Sequence, residues 1–151
     1  MSTQPAAAQP RSAWSPAQLY ALVVGAVLLL AGIVGFAYSA SFGSPGEVDS
    51  VFGILDVNAW HNIVHIATGA LGLLLFRTAA REYALGLGAV YVVVAIWGFI
   101  IGDGESILGF IPINTEDNVL HLVIGLAGLG AGLATQRAVA APARGGPAAA
   151  H

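Results

Sequence analysis

The chain has no cysteine, no lysine, a single methionine and only 9% charged residues over 151 positions. The lack of cysteine removes disulfides, thiolate metal ligands and a cysteine nucleophile together. With lysine missing, positive charge rests on Arg11, Arg77, Arg81, Arg137 and Arg144, which form no basic patch of the kind nucleic acid requires. No glycine-rich phosphate loop follows a strand pattern, and no serine sits in a nucleophile elbow. So few charges cannot cover a water-soluble globule. A hydrophobic content of 57% and a mean hydropathy of +0.81 define an integral membrane protein instead.

Apolar sequence is what the chain has in quantity. Four stretches, Gln18 to Tyr38, Ala59 to Phe76, Tyr83 to Ile101 and Thr115 to Ala134, approach the roughly 20 helical residues that cross a hydrocarbon core. They are continuously apolar rather than alternating, so they predict helices and not barrel strands. Ser15-Pro16 marks a helix start, with a serine cap followed by proline at the first helical position. The first stretch is longer than a signal core of about 7–15 residues, and is expected to be a retained span.

The sequence repeats itself. Tyr20-Ala-Leu-Val-Val-Gly-Ala-Val aligns with Tyr83-Ala-Leu-Gly-Leu-Gly-Ala-Val, and from Tyr20 to Tyr38 this pairing gives 9 identities in 19 positions. Phe52-Gly-Ile-Leu-Asp-Val-Asn58 aligns with Leu108-Gly-Phe-Ile-Pro-Ile-Asn114, and the match continues through His65 with His121, Gly69 with Gly125 and Gly72 with Gly128. The offset falls from 63 to 56, so the first copy has a loop seven residues longer. Two spans per copy imply that both copies enter the membrane in the same direction, related by a pseudo-two-fold axis along its normal.

The expected fold is therefore all-α: a four-transmembrane-helix bundle built from a tandem parallel two-helix repeat. Repeat one covers about 18–77 and repeat two about 81–136, within a domain of 15–137. Residues 1–14 and 138–151 are rich in Ala, Pro and Gly without apolar periodicity and are expected to be disordered. All five arginines lie in the two ends and in the link between spans two and three, which places those regions in the cytoplasm. Glu47, Asp49, Asp56, Asp103, Glu105, Glu116 and Asp117 fall on the other side. Trp14 and Tyr20 or Tyr83 are expected at the inner interface, with Tyr38, Trp60 and Trp97 near the outer one. The apolar outer loops are expected to lie on the membrane surface as turns capping the bundle.

Candidate functional residues fall on the symmetry: His61 pairs with Asp117, Asn62 with Asn118, and His65 with His121. Asn58 and Asn114 suit helix N-caps, which makes Asp117 the third helical residue. His65 and His121 then lie roughly 10 Å beyond their caps, inside the hydrocarbon zone, where an ionisable group needs a partner. Glycines at spacings of three and four share their helix faces, so both imidazoles are expected to point into the bundle. Three readings follow: polar glue between helices, with Tyr91 or a backbone carbonyl as partner; a three-histidine, one-carboxylate metal site or a haem held by His65 and His121; and a titrating pair in a proton or small-solute path.

Trp60-His-Asn-Ile-Val-His65-Ile-Ala-Thr-Gly-Ala-Leu-Gly72, an Arg-flanked link, a Tyr-Ala-Leu-Gly third span and Asn118-Val-Leu-His121-Leu-Val-Ile-Gly resemble the small bacterial four-span membrane proteins of domain-of-unknown-function family 4383. The resemblance runs from about Tyr20 to Leu133. It implies a multi-pass protein of the bacterial cytoplasmic membrane and no activity. The sequence reading is a structural or interaction protein, not an enzyme, with no assigned cofactor and a central His65/His121 polar contact. Its partners are the lipid bilayer and a second copy or another membrane protein. The alternative is a transport or haem- or metal-binding module using the same histidines.

Overall fold

The computed structural model describes residues 14–43 and 48–135. The ends expected to be disordered, together with Arg11, Glu47, Arg137 and Arg144, lie outside them, apart from Trp14. Four helices carry the fold: α1 (Pro16–Tyr38), α2 (Ala59–Leu75), α3 (Ala80–Ile101) and α4 (Thr115–Ala134). Of these, α1, α3 and α4 are long and apolar enough to cross a membrane, while α2 is a shorter apolar helix of 17 residues.

The helix starts follow their caps. Ser15 accepts from the Gln18 N–H while the Gln18 side chain accepts from the Ser15 N–H, a complete capping box with Pro16 behind it. Asn58 Oδ1 accepts from the His61 N–H and Asn114 Oδ1 from the Asp117 N–H, both at 2.9 Å.

The helices pair α1 with α2 and α3 with α4, and glycine sets the separation. A side chain at Gly25 would meet the Gly69 and Gly72 backbone, and one at Gly88 would meet that of Gly125 and Gly128. Small residues let backbones approach closely where no hydrophobic effect drives helices together. Burial repeats with the sequence. Ala17, Tyr20, Ala21, Gly25, Leu28, Gly32 and Gly35 are buried in α1, and each residue 63 positions later is buried in α3.

The radial pattern is inverted from that of a soluble domain. Leu19, Val23, Val27, Leu30, Val90, Val93, Ile100, Val123 and Leu133 point outward, whereas Asn62 and Asn118 are among the largest fully buried side chains. Such an exterior suits acyl chains, not water.

The fold is mostly helical as expected, and the segments expected as turns close as short β-hairpins. β1 (Asp49–Val51) pairs antiparallel with β2 (Leu55–Val57), and β3 (Ser106–Ile107) with β4 (Ile111–Pro112). Both turn on two residues of positive φ: Phe52 at 54° with Gly53 at 70°, and Leu108 at 55° with Gly109 at 76°. That is the backbone of a type I′ turn, which ordinarily takes Asn-Gly. A bulky residue in this region costs roughly 1–2 kcal/mol, and asparagine tolerates it better. Leu108 is exposed. Leu108→Asn is therefore expected to raise stability by about 1 kcal/mol, measurable as a higher unfolding midpoint in mixed micelles; a lower midpoint would mean that the leucine side chain itself is needed.

At the opposite end of the bundle one residue joins three segments. The Thr135 hydroxyl accepts from the Ala17 N–H at 2.9 Å and donates to the Ala131 carbonyl, while its own carbonyl accepts from Arg81 Nε at 3.0 Å.

Candidate functional site

Each hairpin is held by the opposite half. Asn58, which caps α2, donates from Nδ2 to the Phe110 carbonyl in the second hairpin, and Asn114, which caps α4, donates to the Ile54 carbonyl in the first, both at 2.6 Å. One amide therefore does two jobs: its oxygen starts a helix and its nitrogen fixes a turn across the molecule.

This clasp brings the first hairpin over the helix starts, where His61 and Asp117 both bond the backbone of Asp56. The Asp56 carbonyl accepts from His61 Nδ1 at 2.9 Å, and the Asp56 N–H donates to Asp117 Oδ2 at 3.1 Å. The position matching Asp56 is Pro112, which has no N–H to offer. The Asp56 carboxylate accepts separately from Ser50 Oγ at 2.6 Å.

One turn along α2 lies His65, with its Nε2 3.1 Å from His61 Nε2. A carbonyl only accepts, so His61 Nδ1 bears the proton there; in a neutral ring its Nε2 is then a lone pair, and His65 Nε2 is the donor between them. From α4, His121 completes a triangle. Its ring centre lies 6.2 Å from that of His61, 6.3 Å from that of His65 and 4.9 Å from that of Tyr91. One ring nitrogen from each histidine lies within 4.8 Å of the other two. His121 is 7% exposed, and its Nδ1 is buried with no hydrogen-bond partner among the described residues.

The polar residues singled out in the sequence thus converge at the hairpin end, in different roles. His65 and His121 face inward, but the direct hydrogen bond joins His61 to His65 rather than His65 to His121. Asn62 and Asn118 belong to helix packing. A side chain at Gly35 would fall on Asn62 Oδ1, and one at Gly98 on Asn118 Oδ1. Each glycine therefore directs a Cα–H at an amide oxygen, a weak contact that recurs at close helix crossings. Asn62 also donates to the Ser39 carbonyl at 2.9 Å.

Tyr20 and Tyr83, expected at the membrane interface, are instead buried at 7% and 5% exposure. The Tyr20 hydroxyl donates to the Ile124 carbonyl and the Tyr83 hydroxyl to the Thr68 carbonyl, both at 3.1 Å. Their alignment with each other was legible, but a tyrosine near the start of an apolar helix reads first as a belt residue. Asp56 was legible only as an outer-loop acid, because its contribution to the site is its backbone.

An apolar exterior, polar residues clustered inside and several helices long enough to span a bilayer make this a multi-pass membrane protein. The chain belongs to the family described as domain of unknown function (DUF4383), which it matches over residues 18–134. No curated protein and no solved structure matches it significantly.

Proposed function

We propose that this is a structural or interaction protein of the bacterial cytoplasmic membrane rather than an enzyme: a four-span bundle of two halves inserted in parallel, with both ends in the cytoplasm. The observation that carries the reading is the exchange of tyrosine hydroxyls. Tyr20 reaches Ile124 in the other half, Tyr83 reaches Thr68, and both donor and acceptor positions correspond between the repeats. The clasps from Asn58 and Asn114 obey the same rule. Four bonds exchanged between halves favour a unit built to hold one shape over one built to open.

The shorter α2 fits as a fourth span because 17 residues is at the lower limit of about 17–25 for a bilayer, and it runs antiparallel beside α1. The arginine distribution supports cytoplasmic ends. Against catalysis, the Thr68 hydroxyl that lines the imidazole pocket already donates to the Val64 carbonyl at 2.7 Å. A haem between His65 and His121 would have to displace His61, whose ring centre lies 4.4 Å from that of His65.

Tyr20→Phe and Tyr83→Phe are each expected to lower stability by about 1 kcal/mol, the usual worth of one hydrogen bond, in equilibrium unfolding from mixed micelles. Together they should cost about the sum, since the two bonds share no atoms. Single cysteines placed near either terminus of this cysteine-free chain should be shielded from an impermeant thiol reagent added to intact cells, and one beside Gly104 should react. Terminal labelling from outside would overturn the proposed orientation, and phenylalanine variants as stable as the parent would overturn the interlock.

A further inference from the structure

We propose that His61, His65 and His121 bind one divalent transition-metal ion of the zinc class, a role that goes beyond the structural reading and does not depend on it. Three arguments converge. The first is geometric. The His61 and His65 Nε2 atoms are already 3.1 Å apart, close to the roughly 3.3 Å between two nitrogens that sit about 2.0–2.1 Å from a tetrahedral ion, and the ion takes the place of the proton between them once His65 carries its own proton on Nδ1. One ring nitrogen from each of His61, His65 and His121 lies within 4.8 Å of the other two, so the three can close on a common centre with a small side-chain adjustment.

The second is orientation. A histidine ligand generally donates its distal N–H to a carbonyl or carboxylate, which fixes the tautomer and aims the other nitrogen at the metal. His61 does this through Nδ1 to the Asp56 carbonyl, so its Nε2 lone pair points into the triangle. The third is the unmet need of His121. A ring nitrogen buried with no hydrogen bond costs stability unless something satisfies it, and the side chain is more than nine-tenths buried.

The donor set selects the class of ion. Three imidazoles without thiolate suit Zn2+ or its near neighbours in the first transition row, and three protein ligands leave a coordination position open. A cavity of about 90 Å³ is lined by all three histidines together with Thr68 and Tyr91, and a second of about 270 Å³ adjoins His61 and His65 beside Leu30, Val34 and Phe52. Asp117 lines the second cavity and can balance positive charge without being a ligand.

The test is titration of the purified full-length protein in detergent with Co2+ alone, whose ligand-field bands report a tetrahedral nitrogen site. Saturation at one equivalent per chain, with displacement by Zn2+, is expected. His61→Gln, His65→Gln and His121→Gln keep a polar side chain of similar bulk, and each should weaken binding by more than the roughly 10–100-fold that loss of an outer partner costs. Tyr83→Phe, which leaves the triangle intact, should bind as the parent does. Imidazole ¹⁵N shifts of the unaltered chain on Zn2+ addition give a readout that needs no variant. A folded parent with no Co2+ bands and unmoved imidazole shifts would overturn the proposal, as would bands that survive in all three glutamine variants. Neither result would disturb the tyrosine interlock, whose test is separate.

Discussion

Gly98→Ala is expected to destabilise the protein by about 3 kcal/mol, at the upper end of what one added methyl costs in a tight interior. The new Cβ would land on Asn118 Oδ1, with Cγ and Nδ2 of the same amide directly behind it. Asn118 is 1% exposed and cannot swing away without displacing α3 from α4. The replacement also removes the glycine hydrogen that faces an amide oxygen with no hydrogen bond of its own. Gly98→Ala combined with Asn118→Ala is expected to be more stable than Gly98→Ala alone, because the second change opens the space that the first needs. Equilibrium unfolding of the parent, both single variants and the pair measures this coupling. Additive losses would mean that the two residues do not meet as described. Gly35 and Asn62 form the same contact in the other half, and Gly35→Ala should behave alike.

Asn58→Ala is the second large effect, at about 2 kcal/mol: roughly 1 for the helix cap and roughly 1 for the bond to the Phe110 carbonyl. Asn58→Asp separates the two. The carboxylate still accepts from the His61 N–H but has nothing to donate, so the cap survives and the clasp is lost. Its stability should therefore fall between those of the parent and the alanine variant. The aspartate chain should also show faster amide hydrogen exchange in the second hairpin, 52 residues away in sequence, and not in the first turn of α2. Loss of protection confined to α2 would show that the side chain serves only as a cap.

Much of this architecture could be read from the residues because local chemistry settles it. Ser15-Pro16, Asn58 and Asn114 each announce a helix start through an interaction three residues long, and each is found there. The glycine faces were equally legible, since spacing alone aligns Gly25 with Gly32 and Gly69 with Gly72. The hairpins were not. Phe-Gly and Leu-Gly carry none of the Asn-Gly signal that marks such turns, and strands of two or three residues leave no periodicity to detect.

The site was half visible for a related reason. Helical spacing put His61 and His65 on one face, and symmetry brought His121 toward them. Which pair would touch depended on the Asp56 carbonyl, which holds the His61 ring in place through an atom that every residue possesses. The tyrosines erred the same way: identical sequence contexts left open whether each hydroxyl turned to the headgroups or to a carbonyl of the other half.

Pro112 carries a consequence for how many such centres one molecule can have. Two identical halves joined about an axis would present everything twice, yet here the unit containing Asp56 supplies His61 and His65, and its counterpart supplies His121 and Asp117. Proline at the corresponding place has no amide hydrogen, so the bracket around that residue's backbone can form on one side only. One polypeptide therefore carries one such polar assembly, and the halves are not interchangeable. A dimer of either half alone would keep the helical scaffold and lack the complete polar assembly.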